Sequence, residues 1–312
     1  MKAILIRKYG GPEVVEHSDV PVPKLTAGHI LIKVEAAAMN PIDRKIRNGE
    51  MKMFVRAPLP IILGCEVAGT ITEVAPDVTR LKVGDRVYSP VPGDHNGFAE
   101  YVSVPHEVAA VLPKTLDMIQ SVSLPVGTIT ALQSLRDKGE LKAGQRVLIN
   151  GASGGVGYYG VQLAKELGAH VTAVCSAAKH DLVRAAGATE CLDYKTADFT
   201  KLGKKWDVIF DAAGTKHFGE VRDALEPHGH YVTTISSGGD MVAPVLNPVR
   251  SQKSHFIIMK PNIADTEYVR GLVDAGKLKP FVGPVFPLAK YDEAQAVSDG
   301  GKATGKIVLS PF

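Results

Sequence analysis

QRVLINGASGGVGYYGVQLAKELG, residues 145–168, places three elements in succession. Arg146–Asn150 is a short apolar run rich in β-branched residues, the pattern of a strand buried on both faces. Gly151–Gly157 is too rich in glycine to be a strand or a helix by itself. Val161, Leu163, Ala164 and Leu167 then mark one apolar helical face, and Gly168 supplies a stop.

Strand, glycine loop and helix in that order form the context in which a glycine motif carries chemistry. Glycines let the chain turn tightly and let a pyrophosphate approach main-chain N–H groups at a helix N-terminus, where the helix dipole favours an anion. The spacing is G-x-x-G-x-x-G, at Gly151, Gly154 and Gly157, rather than G-x-G-x-x-G. A plain glycine-rich turn of a parallel-sheet protein is the alternative. The flanking pattern on both sides favours dinucleotide binding.

The chain has 312 residues, enough for two domains with a sizeable core each. Hydrophobic residues make up 45% and charged residues 22%, which argues against disorder or a fibrous repeat. The net charge is +3, from 36 basic and 33 acidic residues that are interspersed, so no basic stripe suggests nucleic acid. Cys65, Cys175 and Cys191 lie far apart without a C-x-x-C pair, which fits reduced thiols and a cytoplasmic location. No apolar run approaches the ~20 residues of a membrane span.

Up to about Ser121 the chain reads as strands and turns, with short β-rich runs at Ala3–Ile6, Ile30–Ala36, Ala68–Val74, Arg86–Ser89 and Glu100–Val104. From Leu124 the period changes: Val126–Arg136 reads as a helix, and strands then alternate with helices. The strands are Val147–Asn150, Val171–Cys175, Val208–Phe210, Tyr231–Ile235 and Phe256–Met259. The helices fall near Gly155–Leu167, Lys179–Ala186, Phe218–Leu225 and Asp265–Ala275. After Lys279 the β character returns. The expected fold class is α/β, a Rossmann-type doubly wound parallel sheet over 123–283 plus a mostly-β domain formed by 1–122 and 284–312.

The tip of the second strand of such a unit separates NAD from NADP. An acid there bonds the ribose hydroxyls and repels a 2′-phosphate. The sequence instead runs Val174-Cys175-Ser176-Ala177-Ala178-Lys179, with Ser176 as a phosphate hydrogen-bond donor and Lys179 as a positive charge. This predicts NADPH. Small residues close the fourth strand at Ala212, Ala213 and Gly214, and Thr234, Ile235 and Ser236 close the fifth on the same sheet edge.

Taken together, Asn40-Pro41-Ile42-Asp43, Leu63–Gly69, Val83–Val87, Gly151–Gly157 and Thr304–Val308 resemble the medium-chain dehydrogenase/reductase superfamily. The nearest branch is that of the zinc-independent quinone oxidoreductases and enone or alkenal reductases, and the match spans essentially the whole chain. The resemblance implies a GroES-like β domain, a Rossmann domain and NADPH in the cleft between them. It implies pyrophosphate contacts at Ser153, Gly154, Gly155 and Val156, and a 2′-phosphate site of Ser176, Lys179 and Tyr194. Asn40 and Thr128 would lie near nicotinamide and substrate, and Lys306 would join the cofactor contacts; Met53 and Phe54 read equally as substrate-pocket wall or as core. Several members carry a substrate-facing Tyr shortly after the N-P-x-D motif, whereas Arg44–Phe54 contains none. A homodimer joined through an edge of the Rossmann sheet is also implied.

The superfamily's zinc alcohol dehydrogenases carry a catalytic Cys at the position of Asn40 and a His at that of Cys65. A catalytic zinc needs three protein ligands. The reading is therefore no metal, with Cys65 a small buried apolar residue. The expected chemistry is hydride transfer from NADPH to a quinone or to the C=C of an α,β-unsaturated carbonyl, with the Asn40 amide as the donor to the developing oxyanion. The partner is a small electrophile, with no nucleic acid and no membrane. The alternative is an NADPH-binding redox sensor with little turnover.

Overall fold

The computed structural model describes residues 1–52, 55, 57–234, 243–301 and 303–312. It forms two compact units, Met1–Val126 with Pro261–Phe312 and Gly127–Lys260.

The first unit opens with β1 (Lys2–Ile6), β2 (Val15–Asp19), β3 (His29–Ala38), helix α1 (Pro41–Asn48) and β4 (Ile61–Ile62). It continues with β5 (Glu66–Val74), β6 (Arg86–Pro90), β7 (Tyr101–Pro105), β8 (Ala110–Val111) and α2 (Met118–Val122). Strands β2, β1 and β4 make a small antiparallel sheet. β3 organises the larger one, pairing antiparallel with both β5 and β7. Ile30, Ile32, Val34, Val67, Ile71, Val87 and Val102 from these strands fill a continuous apolar core.

Helix α3 (Pro125–Leu132) leads into the second unit, followed among the described residues by six strands and three more α-helices. These are β9 (Arg146–Asn150), α4 (Gly155–Glu166), β10 (His170–Cys175), α5 (His180–Ala186) and β11 (Glu190–Asp193). Then come β12 (Trp206–Asp211), the short α6 (Phe218–Val221), β13 (Leu225–Thr233) and β14 (Lys253–Phe256). The order across the sheet is β11-β10-β9-β12-β13-β14, all parallel. Counted within the unit this is 3-2-1-4-5-6, the doubly wound order in which ligands bind outside the strand C-termini where the winding reverses. That point lies between β9 and β12.

The chain returns to the first unit at Pro261, earlier than the expected 284. Helix α7 (Ile263–Asp274), expected in the nucleotide unit, belongs to the β unit instead. Polar contacts explain the difference: the Tyr88 hydroxyl donates to the Thr266 carbonyl at 2.9 Å, and Asp274 accepts the Lys114 N–H at 2.8 Å. β15 (Val282–Phe286), helix α8 (Tyr291–Asp299) and β16 (Lys306–Leu309) complete the unit. β16 pairs antiparallel with β3 at Ala37 and Ala38 and carries β15 on its other side. Among the described residues no helix is long and apolar enough to cross a membrane.

Candidate functional site

In the second unit the glycine loop leaves β9 and enters α4. Gly151 has φ +78°, a left-handed conformation that a side chain resists, and a Cβ there would lie 2.8 Å from that of Ala213. The loops after β9 and β12 therefore pack against each other. Gly157 allows a still closer approach, since a Cβ there would stand 2.2 Å from the Gly151 carbonyl oxygen. Gly154 differs: a Cβ there would meet only that same oxygen, at 3.3 Å, within 4 Å. Bare space thus remains above the start of α4, whose first N–H groups have no acceptor within the helix. Ser153, Gly155 and Val156 are half-buried around that opening. Space, oriented N–H groups and the dipole end of a twelve-residue helix fit a phosphate-bearing ligand.

Asn150 and Asp211, directly paired across β9 and β12, hold the two loops in place. The Asn150 amide donates to Asp211 and to the Thr215 hydroxyl, each at 2.8 Å. Fully buried Asp211 also accepts the N–H groups of Gly214 (2.8 Å) and Lys216 (2.9 Å) and the Tyr231 hydroxyl (3.2 Å). This carboxylate shapes the Ala212–Gly214 turn, and nothing in the sequence pattern singled it out.

At the neighbouring strand tips, the register Cys175↔Asp193 brings Ser176 and Tyr194 to the same edge. Tyr194 is exposed, and Ser176 and Lys179 are half-buried. Strand β11, which carries Tyr194 there, is too short and too polar in sequence to have been expected. Its terminal Asp193 accepts the Lys195 N–H at 3.0 Å, so that carboxylate serves the turn. Thr128 is fully buried on α3. Thr234 donates to the Ala212 carbonyl at 3.2 Å, whereas Ile235 and Ser236 lie outside the described residues, as do Met53 and Phe54.

The first unit contains a buried polar network around Asn40, at the junction of β3 and α1. The Asn40 amide nitrogen lies 2.8 Å from Glu66 Oε1, 3.2 Å from the Ala38 carbonyl oxygen and 3.1 Å from Cys65 Sγ. Its oxygen accepts from the Lys306 ammonium, which also pairs with Glu66 Oε1. The other Glu66 oxygen accepts the Val126 N–H at 2.8 Å. Glu66 and Cys65 are fully buried and Lys306 is 5% exposed. Both Asn40 amide hydrogens thus have acceptors inside the protein, so donation to a ligand oxygen would require one of these bonds to break. Lys306, expected at the cofactor, directs its ammonium into this network.

Asp43 completes the group. It accepts the Asn40 N–H at 2.6 Å through one oxygen, while the other is buried without a partner among the described residues. Burial pushes its carboxyl up to about 7, against the opposing Asn40 N–H and Lys306, with Glu66 and Asp94 adding to the rise. The native state therefore holds this proton where the unfolded chain has lost it, and stability falls as pH rises through the window from about 4 to about 7. Asp43→Asn should remove that slope. Between about pH 5 and about pH 8 the variant should gain about 2–3 kcal/mol relative to wild type in urea unfolding. Parallel stability curves would contradict the raised carboxyl.

Comparison with known proteins matches both units. The family described as "Alcohol dehydrogenase GroES-like domain" matches residues 26–114, and that described as "Zinc-binding dehydrogenase" matches residues 186–309. The chain is 33% identical to the chloroplast envelope quinone oxidoreductase homolog of Arabidopsis thaliana, over all of this chain and 98% of the relative. It is 34% identical to the chloroplastic NADPH-dependent alkenal/one oxidoreductase of the same plant, covering 80% of it. The solved quinone oxidoreductase of Coxiella burnetii superposes with a TM-score of 0.91 at 30% identity, over all of this chain and 99% of that one. With a GroES-like β unit, a Rossmann unit and full-length relatives of this kind, the chain belongs to the medium-chain dehydrogenase/reductase superfamily of oxidoreductases.

Proposed function

We propose that this protein is a zinc-independent, NADPH-dependent reductase that delivers hydride to a quinone or to the C=C of an α,β-unsaturated carbonyl. The observation that carries the cofactor choice is the tip of β10, where Ser176, Lys179 and the adjacent Tyr194 stand in place of an acid. A Ser hydroxyl and a Lys ammonium suit a 2′-phosphate, and the Asp193 carboxylate beside them is turned to its own backbone turn. The acceptor class rests on the relatives named as quinone and alkenal/one oxidoreductases.

When bound, a nicotinamide cofactor would supply the hydride. The chain's own residues anchor and select. The opening at Gly154 and the start of α4 would hold the pyrophosphate, and the Asn150–Asp211 pair keeps both neighbouring loops in register. Negative charge develops on the acceptor's oxygen and calls for a donor. Asn40 can serve by yielding one internal hydrogen bond. Lys45 on α1 is a second candidate: it is half-buried, and burial lowers its pKa, with Glu50 opposing and Arg44 adding to the effect. An anionic oxygen would compensate that desolvated charge. Water supplies the final proton.

A homodimer completes the reading. Edge strand β14 lacks an outer strand partner among the described residues, and Val245, Val249 and Ile258 close to it in sequence are 72%, 82% and 58% exposed.

The test follows NADPH oxidation with short enones, 2-alkenals and quinones, with NADH as control. Turnover with NADPH is expected to exceed that with NADH. Ser176→Asp should raise the KM for NADPH by on the order of 10–100-fold while sparing NADH. Equal use of the two cofactors would overturn the phosphate site. Tight NADPH binding without turnover on any acceptor would replace the reductase with a redox sensor.

A further inference from the structure

Cys65, Glu66 and Asn40 stand at or beside the positions where the superfamily's zinc alcohol dehydrogenases carry metal ligands. We infer that Lys306 is the resident cation of this pocket: its ammonium takes the place of a metal ion between Glu66 Oε1 and Asn40 Oδ1 and keeps divalent ions out.

The donor set does not fit zinc. Glu66 Oε1 is shared by the Lys306 ammonium and the Asn40 amide, and Oε2 accepts the Val126 N–H. Asn40 Oδ1 accepts from Lys306. The oxygens that would face a metal are therefore committed, and one of their donors is already a cation. Zinc also needs a thiolate from cysteine. Cys65 is fully buried with its Sγ 3.1 Å from the Asn40 amide nitrogen, so it too faces a donor already in the pocket. Among the described residues no cluster of three His, Cys, Asp or Glu side chains could hold a metal.

Position argues the same way. Lys306 begins β16, its N–H donates to the Phe281 carbonyl at 2.8 Å, and Val282 faces it across the strand pair. The backbone is pinned and the side chain is 5% exposed, so the ammonium has no route into solvent without disturbing the sheet. Its second effect is orientation. By donating to Asn40 Oδ1 it turns the amide nitrogen toward Glu66 and the Ala38 carbonyl, leaving a single sense for the amide. The network is then neutral in Glu66 and Lys306 together and calls for no further cation. This inference concerns the pocket's charge and holds for any hydride acceptor.

Removing the ammonium should create the metal site it excludes. Lys306→Ala would leave a carboxylate, an amide oxygen and a thiol around a void the size of the lost side-chain tip. The full chain is purified and incubated with Co²⁺ or Zn²⁺, and excess metal is removed. Metal content, cobalt absorption and melting temperature with and without chelator are then read. Wild type and Lys306→Arg should retain no stoichiometric metal and show no metal-dependent shift in melting. Lys306→Ala should take up one ion, show a thiolate-to-cobalt charge-transfer band and melt higher with zinc. The band should vanish in Lys306→Ala/Cys65→Ser. If Lys306→Ala does not fold even with zinc present, Lys306→Gln, which keeps length and removes charge, takes its place. Stoichiometric cobalt with a charge-transfer band in wild type would overturn the inference, and so would a folded, uncharged variant at 306 that takes up none. None of the three readouts depends on turnover, so loss of the reductase reading would leave this result standing.

Discussion

Gly157→Ala is expected to weaken NADPH binding by on the order of 100-fold, about 3 kcal/mol. The added Cβ would sit 2.2 Å from the Gly151 carbonyl oxygen, 2.8 Å from its carbon and 2.9 Å from the Ala152 Cα. All three atoms are backbone, so no rotamer change relieves the overlap. Either the first turn of α4 moves away from β9 or the loop opens, and each displaces the N–H groups that face a pyrophosphate. Overpacking of this kind costs about 1–3 kcal/mol of stability as well. Gly219→Ala is the control, since a Cβ there meets nothing within 4 Å, and neither affinity nor melting should change. Gly154→Ala separates ligand space from loop strain. Its methyl meets only the Gly151 carbonyl oxygen, at 3.3 Å, a contact that a small shift relieves, so the fold should hold while the cofactor loses room. NADPH titration by fluorescence together with thermal melts decides the matter. Wild-type affinity in Gly157→Ala would mean that the pyrophosphate does not rest on this loop.

The glycine loop was legible because its signal is local. Strand, turn and helix lie within twenty-four residues, and each glycine serves contacts made by its near neighbours or by the adjacent strand end. The alternation of β9, β10, β12 and β13 with helices was legible for the same reason, through apolar runs ending in small residues. Strand β11 was not. Glu190-Cys191-Leu192-Asp193 has four residues, two of them acidic, and becomes a strand because β10 offers an open parallel edge. Helix α7 has a clear helical pattern, but the pattern does not say which core it joins. Contacts from Tyr88 and Lys114, far back in the chain, decide that.

The Asn40 network marks the limit of the sequence reading most clearly. Asn40 and Lys306 are separated by 266 positions, and no local period links them. One clue was present. Lys306-Ile307-Val308-Leu309 is a strand buried at every position, and a lysine in such a run needs a partner. The clue says that an acid exists somewhere without saying which one. Asn40 drew attention as a free donor because a motif shows a residue type and not the acceptors around it.

That pairing leads to the largest expected loss of stability in the β unit. Lys306→Met should cost about 3–5 kcal/mol, because it leaves a fully buried carboxylate facing only an amide and a backbone N–H. Glu66→Gln should also be strongly destabilising, since the ammonium then keeps only neutral oxygens and one internal donor must find a new acceptor. The double variant carries no net charge in the pocket and fills it with side chains of similar size, so it should recover much of either loss. A coupling energy of about 2 kcal/mol or more is expected from urea unfolding of the four proteins, compared at equal denaturant slope. Additive losses would show that Glu66 and Lys306 act independently and that each is held by its other partners. Coupling on this scale would identify the pair as the charge balance that lets polar side chains sit at the junction of β3 and α1, where an apolar pair could fill the volume without fixing the Asn40 amide.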